Sequence, residues 1–225
     1  MREITKGLWE LTTPVKFSGI TMPARTVVVQ LGGGGVVVHS PGQLDDEIRA
    51  ELETLGPVRG LIAPNRFHHL FVNEWREAYP EAAVYIAPEL AAKRDDLADA
   101  EPLTGVAPAL WSTEMEQHVW GGIPKIGEVV FVHRPTRTLL NTDMMHNMRD
   151  EPKWFARMAW RMLGAYGKFG PSRLERWWTK DKAELGSSLE HILAWDFDRV
   201  TVAHGEVLET GGKDLMRDAW SWALG

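Results

Sequence analysis

The sequence predicts an α/β domain in which helices cover sheets in layers, on three observations. Short apolar runs typical of buried strands alternate with segments of helical periodicity along the chain. The chain has 225 residues, 44% of them hydrophobic, which is enough for a sizeable core. No repeat of fixed period and no linker-like composition divides it, so we expect one domain over residues 1–225.

The first half of the chain contains a predicted hairpin. Residues 26–31 and 36–38 are apolar and β-branched, and the four glycines between them allow the positive φ angles of a tight turn. Because these glycines lead into a strand and not into a helix, a phosphate-binding loop is disfavoured.

Residues 40–43 have the form of a capping box, which predicts a helix from there to residue 55. The next predicted elements are a buried strand at 58–63, a helix at 75–79 and a strand at 83–87.

The second half contains three predicted strands with polar side chains at their ends. The strands at 129–132, 138–142 and 200–203 are followed by His133, Asp143 and His204. Residues 95–117 lack a clear period and are predicted as a loop with a short edge strand, and residues 214–223 form a closing helix.

Composition excludes several classes of protein. The net charge of −6 disfavours a nucleic-acid partner, and no stretch is long and apolar enough for a membrane span. The absence of Cys removes disulfides and thiolate ligands, and the N-terminus lacks the apolar core of a signal peptide. We therefore expect a cytoplasmic protein without a membrane or nucleic-acid partner, whose metal, if it binds one, is held by His and carboxylate.

Histidines at strand ends are the strongest functional signal. His68 and His69 follow the apolar residues 61–63, and His204 is followed by Gly205, which lets the backbone turn sharply beside a ligand. Imidazole and carboxylate donors together suit Zn, Fe or Mn. Alternatives remain: His68 and His69 as a solvated or hydrogen-bonded pair, Asp143 as a helix cap, and His133 as a proton-transfer residue. The other four histidines are expected at the surface or in the core: His39, His118, His146 and His191. Among them His146 is the exception to watch, because it lies three residues beyond Asp143.

A Trp-rich helical segment is predicted at about 151–195. Its apolar residues from Trp154 to Tyr166 recur at helical spacing with Lys and Arg between them. Core packing, a cap over the site and a homodimer face are the alternatives. Membrane binding is disfavoured because Glu151, Glu175 and Asp181 interrupt any basic face.

The order of these motifs resembles the metallo-β-lactamase-like superfamily over essentially the whole chain. Its first motif is Thr-His-x-His-x-Asp-His after a strand, followed by a separate His, an Asp and a late His-Gly. Here the matching residues are Ala63-Pro64-Asn65-Arg66-Phe67-His68-His69, then His133, Asp143 and His204-Gly205. The resemblance implies an αββα sandwich of two mixed sheets flanked by helices.

The resemblance also implies one metal site in place of two. Pro64 and Arg66 replace two expected His, which leaves His133 alone at the first position. The second position retains four donors, which are His68 in place of Asp, His69, Asp143 and His204. We expect one divalent ion there, zinc first, with iron or manganese as alternatives. Because a guanidinium keeps its charge, Arg66 is predicted to stand in for the first metal and to orient an anionic substrate.

The implied activity is that of a single-metal hydrolase acting on a small ester, lactone, amide or phosphoester. Asp143 or His133 would handle the proton. Two alternatives remain, a catalytically degenerate scaffold that binds a ligand or partner, and a stoichiometric metal or redox sensor.

Overall fold

A computed structural model describes residues 1–17, 20–150 and 153–224. Eleven strands in this part of the chain form two sheets. Sheet 1 has the order β1 to β7: Arg2–Thr5, Leu8–Phe17, Ile20–Gln30, Val36–His39, Val58–Ala63, Ala83–Ile86 and Glu101–Pro102. Sheet 2 has the order β11, β10, β9, β8: Arg199–Thr201, Thr138–Leu140, Val129–His133 and Met115–Val119. The α-helices α1 to α7 are Asp46–Leu55, Val72–Ala78, Pro88–Ala91, Trp154–Met162, Arg173–Trp178, Lys182–Ala194 and Gly212–Ala219.

Both sheets are mixed, which decides where the strand ends meet. In sheet 1, β1 to β4 are antiparallel and β4 to β7 are parallel. In sheet 2, β10 is parallel to β11 but antiparallel to β9. Side chains that follow β10 and β11 therefore lie at one edge of the sheet, and those that follow β9 lie at the opposite edge.

The two sheets pack face to face between outer helices. Strand β9 demonstrates this, because its side chains alternate between two cores. Val129 and Phe131 belong to a core with the strands of sheet 1 and with residues of α1 and α2. Val130 and Val132 belong to a second core with residues of α6 and α7. This arrangement confirms the predicted sandwich of two mixed sheets flanked by helices.

One of two local predictions is wrong. Ser40 does not cap a helix; α1 begins six residues later, where the Asp45 carboxylate accepts a hydrogen bond from the Ile48 amide at 2.8 Å. Residues 95–117 are mainly loop, as predicted, with the short edge strand β7 and the first three residues of β8, the edge strand of sheet 2. The alternation in β8 is weak because only Met115 and Gln117 are buried, so its sequence lacks a clear strand pattern.

Candidate metal centre

Three side chains from distant parts of the chain meet at the edge of the sandwich. Asp143 Oδ2 lies 3.3 Å from His68 Nε2, and Asp143 Oδ1 lies 3.2 Å from His204 Nε2. One potential ligand atom from each residue lies within 4.8 Å of the others. The residues follow β5, β10 and β11, and all three side chains are largely buried. We call His68, Asp143 and His204 the His-Asp-His cluster.

The imidazole of His204 is held in one tautomer. Its Nδ1 lies 2.6 Å from the carbonyl oxygen of Pro23, which can only accept a hydrogen bond. Nδ1 therefore carries the hydrogen, and in the neutral ring Nε2 presents a lone pair to the cluster. This pairing of one ring nitrogen with a backbone carbonyl is typical of histidines that bind metals.

Backbone contacts fix the turn that carries His204. Gly205 has a φ of +108°, and a Cβ there would lie 2.2 Å from the carbonyl oxygen of Asn147. The buried guanidinium of Arg25 donates to the carbonyl oxygens of Val202 and, at 2.7 Å, Gly205. The tight approach leaves no room for a side chain at residue 205, and the positive φ agrees with the sharp turn expected at this glycine.

The buried carboxamide of Asn65 joins the two loops that carry His68 and Asp143. Its Oδ1 accepts hydrogen bonds from the amides of Phe67 and His68, both at 2.8 Å. Its Nδ2 donates to Asp143 Oδ2 and to Thr142 Oγ1, also at 2.8 Å. The Asn65 side chain thus sets the position of His68 relative to Asp143. The other ring nitrogen of His68, Nδ1, lies 2.7 Å from Ser40 Oγ.

The carboxylate of Glu128 holds the loop of Asp143 through hydrogen bonds to its backbone amides. Its Oε1 accepts from the Thr142 amide at 2.7 Å, and its Oε2 accepts from the amides of Asp143 and Met144 at 2.7 and 3.2 Å. Glu128 is 1% exposed, so its charge depends on these donors. Burial and the nearby Asp143 raise the pKa of Glu128, and the loop amides oppose this rise.

Within the cluster, charge stabilises opposite charge. Burial alone would lower the pKa of His68, but the Asp143 carboxylate outweighs it and the pKa is raised. Burial would raise the pKa of Asp143, but His68 and His204 hold it well below the usual range. Asp143 therefore stays ionised and is suited to binding a cation more than to carrying a proton.

The cluster lies in the wall of a cavity of about 240 Å³. Most of its lining is apolar, and the Trp-rich segment contributes Trp160, Leu163, Leu174 and Trp178. Helices α4 and α5 therefore cap the site, one of the alternatives that the sequence allowed. On α4, Ala156 and Trp160 are buried, whereas most of the other apolar side chains are exposed, so the helix is only partly core.

His146 is a cavity residue that was expected to be ordinary surface or core. It lines the cavity, and its Nε2 lies 3.2 Å from Glu175 Oε1. Burial would lower the pKa of His146, but Glu175 and the more distant Asp143 raise it. Its Nδ1 is buried without a hydrogen-bond partner among the described residues. A histidine held by a carboxylate in the wall of this cavity can take or give a proton there.

His69 lies outside the cluster, contrary to its predicted place as a fourth donor. Its Nδ1 is 2.6 Å from an Arg94 nitrogen and its Nε2 is 3.1 Å from Lys93 Nζ. Burial and these two cations lower the pKa of His69 to about 4. Adjacent residues in this loop face different surroundings, and the cations around His69 would repel a metal ion.

His133 lies at the wrong edge of sheet 2 for proton transfer at the cluster. Strand β9 begins near the site, where the Val129 amide donates to the Pro64 carbonyl, and it runs away from there. Four residues of strand place His133 roughly 13 Å further along. Its Nδ1 contacts Thr136 Oγ1 at 2.8 Å. The prediction treated every strand end as equivalent, but β9 is antiparallel to β10.

Two further predictions find no support in the contacts. Arg66 is not among the described residues that line the cavity; Lys93 is, and its Nζ donates to the Arg66 carbonyl at 2.7 Å. Asp143 does not cap a helix, since the next helix, α4, begins eleven residues later. Instead, its carboxylate contacts Asn65, His68 and His204.

Sequence reasoning missed Asn65 and Glu128, and it singled out His146 without giving it a role. The one available signal for His146 was its spacing of three residues from Asp143. Glu128 is a single acid at the start of an apolar strand, and Asn65 lies inside the first motif without a ligand-type side chain. Neither position is distinctive, because only the folded chain brings Asn65 to the Asp143 carboxylate and Glu128 to the backbone amides of residues 142–144.

No protein-family model matches the sequence, and no curated protein matches it. Solved structures match its fold. A metallo-β-lactamase from Pontibacter korlensis aligns with a TM-score of 0.62 at 13% identity, over 99% of this chain and 95% of that chain. The metallo-β-lactamase FIM-1 from Pseudomonas aeruginosa, in its mono-zinc form, aligns with a TM-score of 0.62 at 11% identity, over 99% of this chain and 92% of that chain.

The flavodiiron core of Flv1 from Synechocystis sp. PCC6803 is also similar. It aligns with a TM-score of 0.65 at 14% identity, over 98% of this chain and 59% of that longer chain. Proteins of different named function therefore share this architecture. With two mixed sheets, flanking helices and these matches over nearly its full length, the chain has the metallo-β-lactamase fold.

Proposed function

We propose that the protein is a hydrolase that depends on one divalent metal ion held by His68, Asp143 and His204. The observation that carries the proposal is the geometry of the cluster: three ligand atoms within 4.8 Å, with His204 Nδ1 tied to a backbone carbonyl. Two imidazoles and a carboxylate match the three protein ligands of catalytic zinc sites, which leave a further position open. Zinc is the first candidate, with iron and manganese as alternatives.

The residues of the chain divide the remaining work. A bound divalent ion supplies Lewis acidity, lowers the pKa of water and polarises a carbonyl or phosphoryl oxygen. Asp143 stays ionised beside the two imidazoles, while Asn65 and Glu128 keep its loop in place. His146 holds a proton against Glu175 and donates it to the oxygen or nitrogen of the leaving group. His146 thus takes the role that the sequence gave to His133.

The cavity favours a small substrate with an apolar part and one anionic group. Lys93 lines the cavity, and its contact with the Arg66 carbonyl uses one of its three ammonium hydrogens. An ammonium in this position can bind a carboxylate or phosphate, so Lys93 takes the anion-binding role that the sequence gave to Arg66. The substrate class is an ester, lactone, amide or phosphoester.

We place the protein in the cytoplasm, because a chain without Cys fits a reducing compartment.

A panel of aryl esters, lactones and phosphoesters tests this function. Zinc-loaded protein is expected to turn over at least one class, to lose activity with a chelator and to regain it with metal. The His146→Gln variant should keep its metal but lose about a hundredfold in kcat, because the proton donor is gone. The matched control is His191→Gln on α6, an exposed histidine outside the cavity lining, which should keep full activity. Metal-loaded protein that turns over nothing, or full activity in His146→Gln, would contradict the proposal.

A degenerate scaffold is the second candidate, and one observation favours it. The carboxylate of Asp143 lies at hydrogen-bond distance from both imidazoles, so the three groups also satisfy each other as a charged network. In that case the protein would bind a ligand in the cavity without turnover. Metal content separates the two candidates, since a purely hydrogen-bonded network would hold no ion.

A further inference from the structure

Residues 153–180, which form the cap over the cavity, have a charge opposite to that of the chain. This segment contains seven Lys or Arg and one acid, a formal charge of +6, whereas the whole chain carries −6. The remainder of the protein therefore carries −12. The seven basic residues are Lys153, Arg157, Arg161, Lys168, Arg173, Arg176 and Lys180.

The same segment exposes large apolar side chains. Trp154, Met158 and Met162 follow one another at intervals of four on α4 and are 71%, 49% and 68% exposed. Phe155 beside them is 48% exposed, and Trp177 on α5 is 75% exposed. We call Trp154, Phe155, Met158, Met162 and Trp177 the exposed apolar side chains of the cap. So many exposed large apolar groups in one segment are typical of an interaction surface.

Of the three acids that argued against a membrane from the sequence, Glu175 does not oppose this surface, and Asp181 is exposed just beyond the segment. Glu175 is 3% exposed, and its carboxylate contacts His146 and the Ser172 amide. Asp181 follows the segment and caps α6, accepting a hydrogen bond from the Glu184 amide at 2.9 Å. Glu151 lies outside the described residues. Among the described residues from 153 to 180, therefore, every exposed charge is positive.

We propose that the cap docks onto the surface of an anionic lipid bilayer. Aromatic and Met side chains on one side of a helix enter the boundary between headgroups and acyl chains, and Lys and Arg attract anionic headgroups. A second copy of this chain fits less well, because a symmetric dimer would place two charges of +6 against each other. No described helix is long and apolar enough to cross a membrane, so the contact would be peripheral.

Vesicle flotation tests the proposal. Vesicles of phosphatidylcholine mixed equally with phosphatidylglycerol should bind the protein at least about tenfold more tightly than phosphatidylcholine alone. Added salt should weaken the binding. The variant Trp154→Ser/Trp177→Ser, and separately Arg161→Glu/Lys168→Glu, should each lower the affinity about tenfold or more. Because these residues are exposed, metal content and thermal stability should not change, which keeps this test independent of the proposed hydrolase.

Two variants outside the cap serve as controls for vesicle binding. Leu215→Ser on α7 and Arg59→Glu on β5 change exposed residues outside the cap and should bind vesicles like the wild type. Equal or absent binding to both vesicles would overturn the proposal, as would cap variants that bind like the wild type. It would also be overturned by binding to single-stranded oligouridylate in place of vesicles, or by a dimer that Trp154→Ser/Trp177→Ser disrupts.

Discussion

The Gly205→Ala variant is expected to lose about 3 kcal/mol of unfolding free energy or more. A Cβ at this position would lie 2.2 Å from the Asn147 carbonyl oxygen and 2.7 Å from the Met148 amide nitrogen. Both are backbone atoms that cannot rotate away, and the φ of +108° is unfavourable for alanine. For a chain of this length, the melting temperature should fall by about 6–12 °C.

The same variant should also bind metal more weakly. Moving residue 205 moves His204, whose Nε2 points to Asp143, so we expect a loss of about 10- to 100-fold in affinity. Calorimetric melting and zinc titration measure the two effects. Gly33→Ala in the β3–β4 turn is the control, because a Cβ there meets nothing within 4 Å, and it should melt like the wild type. A Gly205→Ala protein as stable as Gly33→Ala would show that the turn is not tightly packed.

The Glu128→Gln variant is expected to lose about 2–4 kcal/mol of unfolding free energy although it keeps the shape of the side chain. Both carboxylate oxygens accept hydrogen bonds from backbone amides, Oε1 from Thr142 and Oε2 from Asp143 and Met144. A carboxamide has only one oxygen. In either orientation its NH2 group would face a backbone donor, and the loop that carries Asp143 would shift.

Metal affinity and urea denaturation separate the contributions of Glu128. We expect zinc affinity to fall about 10- to 100-fold in Glu128→Gln, since the residue orients a ligand without contacting the ion. Glu116→Gln on β8 removes the charge of a half-exposed Glu that pairs with Arg134, and its stability should change by less than about 1 kcal/mol. Unchanged stability and affinity in Glu128→Gln would mean that the loop holds its shape without this carboxylate.

Layer order and most elements could be predicted from periodicity and turn chemistry. Strand β5 matches its predicted limits, 58–63, because its residues are apolar apart from the exposed Arg59 and lie between Pro57 and Pro64. The hairpin of β3 and β4 follows from its glycine turn. Strand β8 could not be predicted, because only two of its five side chains are buried and few are apolar. Its sequence therefore lacks the apolar–polar alternation that identifies a strand.

The candidate site was only partly predictable, because strand direction is not encoded in a local pattern. His68, Asp143 and His204 follow strands that end at the same edge, and they meet. His133 has the same local pattern, but β9 runs the opposite way. His69 is next to a cluster residue in sequence, but in the structure it contacts Lys93 and Arg94. These two residues are too far from His69 in sequence for a local motif to reveal the contact.

The metal content of the purified protein tests most directly whether His68, Asp143 and His204 form one metal site. Zinc-loaded protein is dialysed against metal-free buffer and measured by elemental analysis, together with His204→Ala and the neighbouring control His69→Ala. We predict about one ion per chain in the wild type and in His69→Ala, and none in His204→Ala. Wild-type protein without a bound ion, or His204→Ala protein that keeps its ion, would contradict the assignment.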